Sequence, residues 1–121
     1  MRKLDGALLT FESSEPCFSY AKINKNGFVI HTKEKKVIST HAIAGAYFFS
    51  KGEYFIDNAI EMIIYGDKEK NEFYMSNVYN YAINNDLKIG IFDINQNDLY
   101  CVGTPTKLKE YLERVWKLQL L

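Results

Sequence analysis

Glu34 and Lys35 stand side by side in a run of four charged residues, where the short apolar run Phe28 to His31 ends. A carboxylate accepts hydrogen bonds from hydroxyls, and an ammonium group neutralises a phosphate. Gly45 lies in the nearly uncharged run Ala42 to Phe49, and glycine inside a strand pattern often marks the close approach of a ligand or another backbone. These residues together would suit a phosphorylated sugar. A solvated charged turn and close packing of a strand against a helix are the alternatives.

The elements around this pair are predicted to be strands. They are Ala7 to Phe11, Phe18 to Asn24, Phe28 to Thr32 and Ala42 to Phe49. The second and third are separated by a turn that contains Asn26-Gly27, which is a strong hairpin signal because both residues tolerate positive φ. We therefore expect an antiparallel pair, with Glu34 and Lys35 at the end of its second strand.

Helical spacing predicts three helices, which begin near Ser50, Ser76 and Thr104. The first opens with a capping-box pattern, Ser50-x-x-Glu53, and its apolar residues repeat as far as Gly66. The third has Pro105 at its first position, where a missing N–H costs nothing. Two predicted strands, Lys88 to Ile94 and Leu99 to Val102, stand between the second and third helices. The second half therefore alternates strand and helix.

Composition excludes several classes of function. Basic and acidic residues balance at 15 each, so no large basic field is available to hold nucleic acid or an anionic membrane. No apolar run is long enough to cross a bilayer, and the first six residues lack a signal-peptide pattern, which predicts a cytoplasmic protein. Cys17 and Cys101 show neither metal-ligand spacing nor a disulfide framework, and His31 and His41 are expected to be one strand and one turn residue.

Several motifs resemble the sugar-1-phosphate nucleotidyltransferases, also called nucleotide-sugar pyrophosphorylases. That family carries Glu-Lys-Pro, then a Ser, then a strand that ends in Gly and aromatic residues; here these are Glu34-Lys35-Lys36, Ser39 and Gly45-Ala46-Tyr47-Phe48. The remaining matches are Asp5 to Phe11, Phe18 to Lys22 with Asn26-Gly27, Asn71 to Asn80, and Gly103-Thr104-Pro105. The resemblance covers nearly the whole chain, and the Gly-Thr-Pro motif resembles especially the versions associated with capsule and surface-polysaccharide synthesis.

The resemblance implies both a fold and roles for residues. The expected fold is α/β, a mixed sheet with flanking helices, like the C-terminal half of a nucleotide-diphospho-sugar transferase. Glu34 would hold sugar hydroxyls, Lys35 would neutralise the sugar phosphate, Glu72 would hydrogen-bond a second part of the ring, and the backbone near Ser19 and Gly45 would line the pocket. Each of these residues also has an interpretation without a binding role. Glu72 would be a favourable charge near a helix N-terminus, Ser19 an ordinary strand residue, and Lys35 a solvated side chain.

Two departures from the family limit the implied activity. The family's nucleotide-handling residues lie on a Gly-rich loop in an N-terminal half, and this chain contains no such loop. Many members use Mg²⁺ and place a metal-binding Asp where Cys101 stands, and a thiol is a poor Mg²⁺ ligand. We therefore expect a single domain, residues 1–121, without catalytic or metal-binding residues and inactive alone.

Three interpretations follow. The chain is the C-terminal part of an enzyme that couples a sugar 1-phosphate to a nucleoside triphosphate, or a non-catalytic sugar-phosphate-binding or regulatory module, or an oligomerisation subunit. The expected partners are a sugar 1-phosphate and the absent N-terminal half or a partner subunit. Removing half of an α/β sheet would expose unpaired backbone and apolar surface along one edge. A homo-oligomer is therefore also predicted.

Overall fold

A computed structural model describes residues 3–68, 71–95, 99–100 and 102–119. It contains five strands, β1 (Gly6–Glu12), β2 (Tyr20–Ile23), β3 (Val29–Lys33), β4 (His41–Phe49) and β5 (Ile89–Ile94), and three helices, α1 (Gly52–Tyr65), α2 (Met75–Asn84) and α3 (Pro105–Gln119). No helix among these residues combines the length and apolar character that spanning a bilayer requires.

The strands form one mixed sheet in the order β3-β2-β4-β1-β5. β1 and β5 are parallel, whereas β1 with β4, β4 with β2 and β2 with β3 are antiparallel. The predicted α/β class with a mixed sheet and flanking helices is confirmed. The predicted hairpin is confirmed as well: β2 pairs with β3, and Gly27 adopts the positive φ of 81° that its turn requires.

β4 is distorted where the sequence carries its smallest side chains. Leu8 pairs with Tyr47 and Thr10 pairs with Ile43, so Leu9 alone faces the three residues 44–46. Gly45 lies at the centre of this bulge with a φ of +84°. Glycine is favoured there because a side chain would strain a left-handed backbone.

The helix ends agree in part with the sequence signals. α1 ends at Gly66, which is left-handed and donates its N–H to the carbonyl oxygen of Ile63 at 3.0 Å. Its N-cap is Lys51 without a side-chain cap bond, so the predicted capping box at Ser50 is wrong. Thr104 caps α3 as predicted, with its Oγ1 accepting the backbone N–H of Lys107 at 3.2 Å.

One predicted strand is not present in the described residues. Leu99, Tyr100 and Val102 have no strand structure, and Cys101 lies outside the described residues. Tyr100 instead contacts α3, where its ring meets the ring of Tyr111 edge-on, with centroids 5.2 Å apart. Side-chain contacts with a helix therefore replace the expected backbone ladder in these residues.

The core lies mainly between the sheet and α2. Its buried members are Leu8, Ala21, Val29, Ile43, Tyr79, Ala82 and Ile89. Tyr79 is central: its ring stacks on Phe49 at 4.5 Å, and its hydroxyl donates to the carbonyl oxygen of Phe48 at 2.9 Å. A smaller cluster of Phe11, Tyr20 and Ala42 lies on the opposite face. α2 therefore fixes the end of β4 by packing and by a hydrogen bond.

Candidate functional site

Glu34 is held by two serines from different parts of the chain. It directly follows β3 and is half-buried. Ser19, directly before β2, donates its Oγ hydrogen to Oε2 of Glu34. Ser76, in the first turn of α2, donates to the same oxygen at 3.2 Å. A carboxylate accepts several hydrogen bonds. Neither of these two described donors contacts Oε1, which can accept hydrogen bonds from a ligand.

The hairpin register and α2 set this arrangement. Tyr20 pairs with Lys33, which brings the residue before β2 beside the residue after β3. The end of β3 is bonded to α2: Thr32 donates its Oγ1 hydrogen to the Ser76 carbonyl oxygen at 2.6 Å, and Asn80 accepts the Thr32 N–H at 2.7 Å. Because Thr32 is buried, these bonds are shielded from competition with water. Glu34 therefore extends from a fixed backbone.

A polar cavity of about 170 Å³ opens beside Glu34. It is lined by His31, Thr32, Lys33, Glu34, Asp67, Ser76, Asn77 and Asn80. Carboxylate, amide and hydroxyl groups of this kind bind the hydroxyls of a sugar. The cavity is smaller than the roughly 300–1,000 Å³ of pockets that enclose a drug-sized ligand.

Tyr47 of β4 lies close enough to Glu34 for the carboxylate charge to affect the pKa of its hydroxyl. The pKa of the Tyr47 hydroxyl is raised above its ordinary value, first by burial and then by the negative charge of Glu34. Both effects disfavour the phenolate. The Tyr47 ring stacks on Tyr79 with centroids 5.9 Å apart. β4 therefore contributes a protonated hydroxyl to the surroundings of the carboxylate.

The structure brings together some of the predicted site residues. Ser19 and Glu34 are in contact. Lys35 follows with an exposed side chain and a left-handed φ of 52°, Glu72 is exposed just before α2, and Gly45 is exposed on β4. Among the described residues that line the cavity beside Glu34, neither Ser19 nor any of these three is present. Their roles in binding stay predictions.

Two members of this site were not predicted from the sequence. Ser76 was interpreted as the start of a helix, and Tyr47 as part of a strand motif. The role of Ser76 depends on a contact with a residue 42 positions away. Nothing in the local pattern could indicate that contact.

A second polar group lies across β4, β1 and β5. Thr10 donates its hydroxyl hydrogen to Oδ1 of Asp93, and Nδ1 of His41 lies 3.3 Å from the same oxygen. His41 is the first residue of β4, so the expectation that it lies in a turn is wrong. In the described part of the chain no three His, Cys, Asp or Glu side chains form a group that could hold a metal ion.

The fold is similar to that of solved nucleotidyltransferases. A nucleoside-diphosphate-sugar pyrophosphorylase from Vibrio cholerae RC9 matches over 91% of this chain with a TM-score of 0.84 and 27% identity. A putative glucose-1-phosphate thymidylyltransferase from Bacillus anthracis matches over 76% with a TM-score of 0.55 and 18% identity. A CMP:2-keto-3-deoxy-manno-octonic acid synthetase matches over 98%, with a TM-score of 0.56 and 15% identity.

The chain has a nucleotide-diphospho-sugar transferase-like fold. It spans 47%, 36% and 51% of the three neighbouring chains, respectively. The second and third neighbours, at 18% and 15% identity, support the fold alone. Neither a protein-family model nor a curated protein sequence matches the chain. The likeness is therefore structural and extends over about half of each neighbour.

Proposed function

We propose that this chain is the sugar-phosphate-binding half of a nucleotidyltransferase, corresponding to the C-terminal half of such enzymes. The likeness to the Vibrio cholerae protein, which covers less than half of that protein, supports this proposal. The observation that carries it is the Glu34 carboxylate, which Ser19 and Ser76 hold at the mouth of a polar cavity. A carboxylate with one oxygen fixed and one available is suited to binding a sugar hydroxyl.

The reaction would join the sugar phosphate to a nucleotide. A phosphate oxygen of the sugar 1-phosphate attacks the α-phosphorus of a nucleoside triphosphate, and the bond to the departing pyrophosphate breaks. Such transfers depend on positioning and on neutralisation of charge more than on covalent help from the protein. In this proposal Glu34 orients the sugar and Lys35 neutralises its phosphate. Glu72 and the backbone at Ser19 and Gly45, which lie outside the lining of the cavity beside Glu34, contact the parts of the sugar phosphate that extend beyond it.

The nucleotide-handling groups belong to the other half of the enzyme, so the chain alone would bind without turnover. Mg²⁺ would serve the complete enzyme by neutralising phosphate charge. Cys101 stands where the family resemblance implies a metal-binding Asp, and we propose no metal ligand in this chain. Use of a nucleoside triphosphate makes a cytoplasmic location part of the proposal. The resemblance to capsule-associated members supports a role in supplying surface-polysaccharide synthesis.

Titration of hexose 1-phosphates, followed by calorimetry or amide NMR shifts, tests the proposal. We expect saturable binding of at least one of the glucose, galactose and mannose 1-phosphates. Glu34→Gln and Lys35→Ala should each weaken it about tenfold or more, since each removes a charge-assisted contact. Lys36→Ala, which removes the next exposed lysine, is the matched control and should bind like the wild type. Equal effects of Lys35→Ala and Lys36→Ala would instead indicate general charge attraction.

A second candidate function is a non-catalytic sugar-phosphate-binding or regulatory module. Cys101 favours it, because a protein that no longer performs the transfer would not need the metal-binding Asp. Supplying the nucleotide-binding half distinguishes the two. Pyrophosphate release in the combined protein indicates the enzyme half, and sugar-phosphate binding without release indicates the regulatory module.

A further inference from the structure

β4 has an open edge along its second half. Tyr20 of β2 pairs with Ala42, and the Ile43 N–H donates to the Ser19 carbonyl oxygen at 2.8 Å. Beyond Ile43, β4 pairs with β1 on one side, and no described strand lies on the other. The segment 44–49 is therefore an unpaired edge in the middle of the strand order.

The backbone groups on this edge can be assigned from the register. The Ser50 N–H donates to the Asp5 carbonyl oxygen at 2.8 Å, so it points towards β1. Main-chain groups alternate in direction along an antiparallel strand. The N–H and C=O groups of Tyr47 and Phe49 therefore point towards the open side. These are the groups with which an added strand would form a ladder.

Apolar side chains are exposed on both faces of the sheet. On one face, α1 presents Ile56, Ile60 and Ile63, each at least half exposed, on the side opposite its buried residues. Phe55 connects that helix to the edge, with its ring 6.0 Å from the ring of Phe49. On the other face, Phe48 and Phe92 are 53% and 63% exposed. They line an apolar cavity of about 220 Å³.

This edge lacks the features that protect exposed strands. Native edges carry charges, prolines or covering elements that prevent pairing with another chain. Residues 44–49 read AGAYFF, without a charge or a proline. Gly45 is exposed, and apart from its chain neighbours no atom of the described residues lies within 4 Å of the position that a Cβ would occupy. Such a combination is typical of an interior strand whose neighbour has been removed.

We propose that this surface docks the polypeptide that corresponds to the remainder of the Vibrio cholerae pyrophosphorylase, with a strand added along Tyr47 and Phe49 and helices covering both apolar faces. The inference rests on the proposed function. This chain spans 47% of that neighbour, so more than half of a similarly folded protein remains to supply the strand. A strand added here would extend towards Gly45 and Ser19, and would bring its end beside the Glu34 carboxylate.

A fusion tests the docking directly. The part of the Vibrio cholerae protein that has no counterpart in this chain is linked ahead of Met1 through a flexible linker. The linkage supplies an effective concentration in the millimolar range, so even a weak contact between diverged halves forms. Amide hydrogen exchange is then measured at Tyr47 and Phe49. We expect exchange to slow at least about tenfold relative to the chain alone.

Variants locate the contact. Phe48→Lys and Ile60→Lys each place a charge on one of the two apolar faces, and each should restore fast exchange at Tyr47. Leu112→Lys is the control, because Leu112 lies on α3 and is 55% exposed, much like Phe48 and Ile60. It should leave the protection intact.

Two outcomes would overturn the proposal. If the isolated chain sediments as a dimer and already protects Tyr47 and Phe49, the occupant is a second copy. If the fusion leaves both amides unprotected, the edge is not the docking surface. Hexose 1-phosphate binding by the isolated chain is measured separately, so a failed fusion with intact binding leaves the proposed function standing.

Discussion

Replacing Ser76 with alanine tests whether the serines position Glu34. Ser76 is 1% exposed, and its Oγ donates to Oε2 of Glu34 at 3.2 Å. A hydrogen bond to a charged group contributes about 1.5–3 kcal/mol. The long distance and the half-buried acceptor place the contribution of the Ser76–Glu34 hydrogen bond near the lower limit of this range. Alanine also has a higher helix propensity than serine, which offsets roughly 0.5 kcal/mol of the loss. We therefore expect the free energy of unfolding to fall by about 1 kcal/mol.

The same substitution should weaken binding of the sugar phosphate. With one of its two serine donors removed, Glu34 samples orientations that do not face the ligand. A loss of about 1 kcal/mol in orientation corresponds to roughly fivefold in the dissociation constant. Calorimetry with a hexose 1-phosphate measures it, and urea unfolding measures the stability change.

Ser39→Ala is the matched control. The Ser39 hydroxyl donates to the Ala21 carbonyl oxygen at 2.7 Å and accepts the His41 N–H at 3.0 Å, without contact to Glu34. It should lower stability by a similar amount without changing affinity. Equal affinity losses in the Ser76 and Ser39 variants would refute a positioning role, because both would then act through stability. Ser76→Ala should also add little to Glu34→Ala, since either substitution removes the hydrogen bond between the two side chains.

Three further substitutions test the surroundings of the site. Tyr79→Phe removes the donor to the Phe48 carbonyl oxygen and should lower the free energy of unfolding by about 1–2 kcal/mol, measured by urea unfolding. Gly45→Ala should lower the free energy of unfolding by about 1–2 kcal/mol in the same assay. The reason is backbone strain at a φ of +84° and not a steric clash, because the space beside Gly45 is open. Partial burial and the hydrogen bond to Asp67 raise the pKa of Tyr81 to about 12. The stability that the protonated Tyr81 hydroxyl contributes is therefore complete below pH 10 and is lost as the pH rises through about 12. Phenolate absorbance is titrated for the wild type and for Tyr81→Phe. The difference between the two curves should show one tyrosine that ionises at higher pH than an ordinary tyrosine.

The sequence predicts the elements well because their signals are local. Alternating apolar residues predict β5, and Asn26-Gly27 predicts the hairpin because its turn needs positive φ. Gly66 and Thr104 mark helix ends by hydrogen bonds within one turn. The predicted capping box at Ser50 is wrong because of a contact with a residue distant in sequence. The Ser50 N–H donates to the Asp5 carbonyl oxygen, so Ser50 continues the strand ladder and α1 begins after it.

Contacts between distant elements were not predictable in the same way. The sheet order places β4 between β2 and β1, and no local pattern determines that order. The pairing of Ser76 with Glu34 depends on α2 lying across the end of β3. Helical spacing on α1 correctly predicted an amphipathic helix, but a pattern of apolar residues cannot show whether the surface that covers them belongs to the same chain.

The small cavity beside Glu34 and the open edge of β4 have a common explanation. Pockets in α/β proteins form at the ends of strands where two parts of a sheet meet, and here Glu34 lies near the point where β4 leaves β2. The cavity of about 170 Å³ is lined from the side of β3 and α2, whereas Tyr47 of β4 lies near enough to Glu34 to be affected by its charge. A strand placed along Tyr47 would therefore add a wall on the β4 side of Glu34. Sugar-phosphate affinity should rise when the edge is covered, because a second wall beside Glu34 excludes more water and buries more of the ligand. A fusion that protects Tyr47 but binds the hexose 1-phosphate no more tightly than the isolated chain would show that the two features are independent.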